Sequence, residues 1–215
     1  RVLCLAFVPG KNWLISSSTD KTIHIWDLAQ QKTVEELPVG EPVHKFVLIG
    51  EDHLIYTNST GNILSLDLNN IEREPAIIYS GNNHQPFQTL AYNGSHRWLV
   101  VSNSGTLSVF KIDPENLSII TSGQFTMKHK SQVSQVGFSP DENWLVTASS
   151  DAIMLWDLRN ASNQDIDKLV PIVIDNNRQI FSIAFDEQSR YLFFGDNRIL
   201  HIYPLNINDV YSILR

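Results

Sequence analysis

A chain of 215 residues with 42% apolar, 10% aromatic and only 18% charged side chains can bury roughly 70% of its unfolded surface, which argues against a disordered polymer. Sixteen Lys and Arg against 23 Asp and Glu leave a net charge of −7, and no stretch gathers five basic residues to face a phosphate backbone, which argues against nucleic acid as a partner. Cys4 is the only cysteine, which excludes an internal disulfide and a cysteine cluster for zinc and points to the reducing cytoplasm.

In chain order, Val2 to Val8, Trp13 to Ser18 and Thr22 to Leu28 read as three short strands, and a fourth is expected near Thr33 to Leu37. Val43 to Ile49, Leu54 to Asn58 and Asn62 to Leu68 repeat that order, with an outer strand near Pro75 to Tyr79. Phe87 to Tyr92, Trp98 to Asn103 and Thr106 to Ile112 form the third set, followed by Ser118 to Gln124. In the fourth, Gln132 to Phe138 alternates apolar and polar residues. Ser139-Pro140-Asp141-Glu142 then carries turn chemistry, because proline sets φ for the second turn position and aspartate bonds its own backbone. Asn143 to Ser150, Ala152 to Leu158 and Leu169 to Ile174 follow. Ile180 to Phe185, Tyr191 to Gly195 and Ile199 to Leu205 make a fifth set with no clear fourth strand. In the tail, residues 206–215, Ile207, Val210, Tyr211 and Leu214 recur at helical spacing behind Asn208 or Asp209 as a cap, which predicts a short helix. A strand from Val210 to Leu214 that completes the fifth set is the alternative.

These sets form a repeat array. Phe7/Leu14, Val47/Leu54, Tyr92/Leu99, Phe138/Leu145 and Phe185/Leu192 are each seven residues apart, and their leading members advance by 40, 45, 46 and 47 residues. Such periods match the four-stranded blades of a β-propeller, an all-β architecture, with units near 1–40, 41–80, 81–125, 126–175 and 176–205. There is no run of 18 apolar residues to span a membrane and no charged, hydrophobic leader. The chain opens with Arg1 inside a strand-like segment, so an upstream region is expected.

The fourth unit resembles a blade of the WD-repeat (WD40) propeller family, and the first resembles another without its leading loop. Such blades often hold a hydrogen-bonded His, Ser, Asp and Trp, which here read as His129, Ser149, Asp151 and Trp156; in the first unit Ser18, Asp20 and Trp26 match. The set implies a structural staple in which Asp151 holds the His129 ring, the ring bonds Ser149, and Trp156 donates its indole N–H. Ser, His and Asp together also suggest a catalytic triad, but in a blade the set points inward, away from any pocket. The pattern departs elsewhere: Leu66-Asp67, Phe110-Lys111 and Tyr203-Pro204 replace Trp-Asp, and the turn before Trp156 is one residue shorter than that before Trp26. His84 is a candidate for the histidine of the third unit. Propellers of this family most often have seven blades, so five units imply part of a larger, about seven-bladed ring.

The five inner strands contain no Asp or Glu; their polar members are His44, Lys45, Gln88, Thr89, Ser134, Gln135 and Ser182, which cannot supply the carboxylates a hard cation requires. No nucleophile elbow, phosphate loop or His-Glu-x-x-His occurs, so no catalytic residue, metal or cofactor is expected. His24 and His201 occupy one place in their third strands, where an exposed face is expected. Trp13, His53, Trp98, Trp144 and Tyr191 precede the repeated leucines, and each is expected to seal the gap between blades rather than to form a binding surface.

Partners of the resembling family dock on the face built from loops before the first strand and turns between the second and third. Asp20, Lys21, Asn82, Asn83, His84, Lys128, Lys130, Asn177 and Arg178 are the candidates for that face here. The expectation is a non-catalytic protein–protein interaction scaffold or sensor module, with no nucleic-acid or membrane partner and with further domains of the same polypeptide as possible neighbours. One version of it is the C-terminal sensor of a bacterial signalling or defence NTPase. The competing class is an enzyme propeller, hydrolase- or lactonase-like, with its active groups in other blades.

Overall fold

The computed structural model describes residues 1–81, 86–161, 168–175 and 179–205. Nineteen strands form among them, in five antiparallel sheets. Blade 1 is β1 (Val2–Phe7), β2 (Trp13–Ser18), β3 (Thr22–Asp27) and β4 (Lys32–Pro38). Blade 2 is β5 (Phe46–Ile49), β6 (His53–Thr57), β7 (Ile63–Asp67) and β8 (Ala76–Tyr79). Blade 3 is β9 (Thr89–Asn93), β10 (Trp98–Asn103), β11 (Thr106–Ile112) and β12 (Ile119–Lys128). Blade 4 is β13 (Val133–Phe138), β14 (Trp144–Ser149), β15 (Ala152–Asp157) and β16 (Ile172–Asp175), and blade 5 has β17 (Ser182–Phe185), β18 (Tyr191–Gly195) and β19 (Leu200–Pro204). The outer strand expected from Leu169 starts instead at Ile172, because Pro171 offers no N–H to a ladder and Leu169 turns back onto the core between blades 3 and 4. The predicted terminal helix, residues 206–215, lies outside the described residues.

The register explains the repeat. Phe7, Leu14 and Trp26 lie directly opposite one another across β1, β2 and β3, and Phe138, Leu145 and Trp156 do so across β13, β14 and β15. Tyr92, Leu99 and Phe110 make the same row in blade 3, and Phe185, Leu192 and Tyr203 make it in blade 5. Blade 2 departs from the sequence pattern: Leu54 faces Leu48, not Val47, because its first hairpin is one residue tighter. Its row is therefore Leu48, Leu54 and Leu66. Opposed residues share a face, so each row forms an apolar stripe.

Each stripe packs on the preceding blade. Leu54 and Leu66 meet Ile15, Ile23 and Ile25 of blade 1; Leu99 and Phe110 meet Ile55 and Ile63 of blade 2. Leu145 and Trp156 meet Trp98, Val100 and Val109 of blade 3, and Leu192 and Tyr203 meet Trp144, Val146 and Leu155 of blade 4. Central strands are thus covered on both faces, which is why β10 and β14 read as continuous apolar runs instead of alternating ones. The first blade differs: Phe7 is 70% exposed, while its counterpart Phe138 packs against the core between blades 3 and 4.

The turns between first and second strands join neighbouring blades at one end of the array. The Glu142 carboxylate accepts the Gly94 and Ser95 N–H groups at 2.8 and 2.7 Å, and Asp141 N–H donates to Ser189 Oγ at 2.9 Å. Lys11 Nζ likewise reaches Asn69 Oδ1 at 3.1 Å. Crossover segments build the opposite end by lying on the preceding blade's central turn. His129 N–H and Val133 N–H donate to Gly105 O and Ser104 O at 2.7 and 2.8 Å, and Gly81 N–H donates to Asn62 Oδ1 at 3.1 Å. The approach is close enough that a Cβ on Gly105 would stand 2.8 Å from His129 O, so only glycine fits there.

Candidate functional site

The crossover before β13 carries His129, one of the residues that the sequence singled out. His129 is 8% exposed, and both ring nitrogens are taken: Nδ1 by Ser149 Oγ at 2.8 Å and Nε2 by Thr147 Oγ1 at 2.8 Å. Trp156 Nε1–H donates to the same Thr147 hydroxyl at 3.1 Å, and Ser149 Oγ donates to Asp151 Oδ1 at 2.7 Å. One direction satisfies every group: Trp156 to Thr147, Thr147 to His129, His129 to Ser149 and Ser149 to Asp151. It requires a neutral imidazole with its proton on Nδ1. Asp151 therefore reaches the ring through Ser149, and not directly as the sequence reading had it, because no ring nitrogen is left for it. Ser131 adds its N–H, at 3.1 Å, and its hydroxyl to the same carboxylate oxygen.

Thr147 is the member that the sequence reading missed. Its signal was available: it stands two residues before Ser149 on the same face of β14, as Ser16 stands two before Ser18 on β2. Blade 1 builds a shorter version, with Trp26 Nε1–H on Ser16 Oγ at 2.9 Å and Ser18 Oγ on Asp20 Oδ2 at 2.9 Å.

Burial pushes the His129 imidazole below its ordinary value, against the pull of Asp151. Burial also pushes Asp151 up, but hydrogen bonds from Ser131 and Ser149 outweigh it and hold the carboxyl below the usual range. The uncharged ring favours the folded chain, so its contribution is complete above the ordinary histidine value of 6.5 and is lost as pH falls toward the lower folded value. Thermal unfolding followed from pH 7.5 to 5 is expected to show stability falling on acidification, with a shallower slope in His129→Gln. His96, also pushed down by burial, contributes in the same direction. Equal slopes in both proteins would remove His129 from the account.

The network leaves no nucleophile free: Ser149 is 0% exposed and its proton goes to Asp151. Among the described residues no three His, Cys, Asp or Glu side chains group as a metal site needs. Of the polar residues expected on inner strands, His44 and Lys45 stand before β5 and Gln88 before β9, Thr89 is buried at 1% exposure instead of facing a channel, and burial pushes the Lys45 ammonium down. The third-strand histidines are half-buried, contrary to the exposed face expected for them: His24 stacks on Trp26 at 5.2 Å between ring centres, and His201 on Phe194 at 4.8 Å.

Of the candidate face, Lys128 and Lys130 are exposed on either side of the buried His129, and Asp20 and Lys21 are exposed on the β2–β3 turn. Lys128 ends β12 of blade 3 and Lys130 lies on the crossover to blade 4, whereas Asp20 and Lys21 belong to blade 1. Asn82, Asn83, His84, Asn177 and Arg178 lie outside the described residues.

Four-stranded antiparallel sheets, each laying a leucine-centred stripe on the one before it, are the architecture of β-propeller repeat proteins. Residues 1–27 and 121–157 match the WD domain, G-beta repeat family. Over 172 residues, 74% of this chain and 44% of the relative, the sequence is 29% identical to the WD repeat-containing protein 53 homolog of Dictyostelium discoideum. Over 175 residues, 78% of this chain and 28% of the relative, it is 26% identical to WD repeat-containing protein 1 of Gallus gallus. The chain is thus similar to WD-repeat proteins, and it spans less than half the length of either of these relatives.

Proposed function

We propose that this chain is a non-catalytic interaction module, a scaffold or sensor whose crossover face docks a protein partner or another domain of its own polypeptide. One observation carries the reading. The chemically capable groups of blade 4 satisfy one another inside the fold, while the charged residues flanking His129, Lys128 at the end of β12 and Lys130 just after it, face solvent from a segment tied to Gly105 and to Ser149. A charged loop that is ordered before it binds loses little entropy on docking. Asn82, Asn83, His84, Asn177, Arg178, Asp20 and Lys21 extend the proposed surface. The exposed stripe of blade 1, whose counterpart is covered in blade 4, supports a larger ring in which another blade packs against Phe7 and Trp26. A cytoplasmic setting is proposed on the single free thiol of Cys4.

Affinity capture with the full-length protein tests the face. Alanine at Lys128, Lys130 and Arg178 together is expected to cut partner recovery roughly tenfold, equivalent to about 1.4 kcal/mol. Recovery of the same partners at wild-type levels would show that docking uses another surface.

A further inference from the structure

We propose that the groove along the outer edge of β8, between blades 2 and 3, binds an extended segment of a partner protein, which adds a strand to the sheet and carries a basic residue at its C-terminal end. The groove lies apart from the crossover face, and the proposal does not depend on docking there. It has two sections, of about 480 and 220 Å³, and Ile78, Asn116 and Leu117 line both, so that one runs on into the other.

The walls fit a chain and not a compact ligand. Ile77, Ile78 and Tyr79 line the larger section from one side and Asn116 to Ile120 from the other, consecutive residues in each case. Side chains of a strand alternate between faces, so three neighbours reach one groove only where it follows the backbone edge. That edge is open, because β8 is the last strand of its sheet and pairs only with β7 among the described residues. Its outward N–H and C=O groups are a template for another strand. The edge of blade 1 is guarded: β4 carries Lys32, Glu35, Glu36 and Pro38. Ala76–Tyr79 bears a bulge at Ile78 but no charge and no proline, and Ile77 is 57% exposed. Inside the groove the Tyr79 and Phe110 rings lie 4.8 Å apart beside Leu117 and Ile119, an apolar floor for an aliphatic side chain of the added strand.

The smaller section sets the charge. Asp67 and Glu74 line it against Arg73, and none of the three makes an ion pair among the described residues. Glu72 and Glu115, both exposed, stand next in sequence to Arg73 and Asn116 of that lining, so carboxylates predominate and favour a basic residue. This end lies before β8. Every pair in the sheet is antiparallel, so an added strand reaches it with its C-terminal end.

The test titrates the peptide Ac-Ile-Thr-Ile-Thr-Lys-NH2 into the full ¹⁵N-labelled chain. Saturable amide shifts are expected along Ala76–Tyr79 and from Asn116 to Ile119, with slower hydrogen exchange in β8. Methylating the peptide's central backbone nitrogens keeps its side chains and is expected to weaken it roughly tenfold or more, since the ladder donors are gone. Glutamate in place of the peptide's lysine should cost about fivefold, and Glu74→Lys should reverse that preference. Ile77→Lys puts a guarding charge on an exposed edge position; it is expected to cut affinity about tenfold and leave the melting temperature unchanged. No saturable binding, equal affinity of the methylated peptide, or wild-type affinity in Ile77→Lys would overturn strand addition. Equal affinity of the lysine and glutamate peptides would overturn the basic end. Self-association of the chain that Ile77→Lys abolishes would make a second copy the occupant and overturn the partner assignment.

Discussion

Replacing Thr147 by valine is expected to destabilise the chain by about 2–4 kcal/mol and to lower its melting temperature by roughly 5–12 °C. The substitution keeps the shape and removes one hydroxyl. That hydroxyl accepts the Trp156 indole N–H at 3.1 Å and bonds His129 Nε2 at 2.8 Å, in a site where Thr147 is 0% exposed. Its loss strands two buried groups, and each stranded group costs about 1–3 kcal/mol. Thr147→Ser restores the hydroxyl and should recover most of the loss. Ser16→Ala in blade 1 removes the equivalent acceptor but is expected to cost under about 1 kcal/mol, since Trp26 is 36% exposed and its N–H can turn to water. Denaturant midpoints of the three variants measure this directly; equal losses at Thr147 and Ser16 would mean that the blade 4 network does not staple the sheet.

Trp98→Ala should cost still more, about 3–5 kcal/mol, because it empties the space of a side chain that is 1% exposed and packs between blades 3 and 4. Its ring also stacks on His96 at 4.4 Å. Tyr191 holds the corresponding place before the repeated leucine of blade 5, yet it is 40% exposed, with Arg190 over its ring at 5.8 Å and the Phe193 ring tilted beside it at 6.4 Å. Tyr191→Ala is therefore expected to cost under about 1 kcal/mol. Calorimetric melting of both variants distinguishes a repeat position that matters everywhere from one that matters only where a following blade covers it. Comparable losses would contradict the packing account.

Much of the fold was legible because strands and hairpins are local. Alternation located β13, turn residues from Ser139 to Glu142 located the hairpin after it, and the bonds found there are those that the residue types offer: Ser139 Oγ to Asp141 Oδ1 at 2.6 Å and Glu142 N–H to Ser139 O at 2.8 Å. The error in blade 2 is of the same local kind. Val47 and Leu54 satisfy the seven-residue spacing, but one residue fewer in the turn moves the partner of Leu54 to Leu48. The candidate site was legible less evenly. His129, Ser149, Asp151 and Trp156 stand out as residue types at family spacing, whereas Thr147 resembles any β-branched residue on a strand until the His129 ring is seen to need a second partner.

By itself the sequence determined the number of repeats, the strand order within each and the positions of the polar residues that fill blade 4, because each follows from side-chain alternation and turn chemistry within about ten residues. Only the tertiary structure decided which apolar stripes are covered, why Trp98 and Tyr191 differ at one repeat position, and that Ile77 and Asn116 line one groove. Those outcomes depend on one sheet lying against the next. Burial, and with it the cost of an unpaired polar atom, is a property of the neighbour and not of the residue.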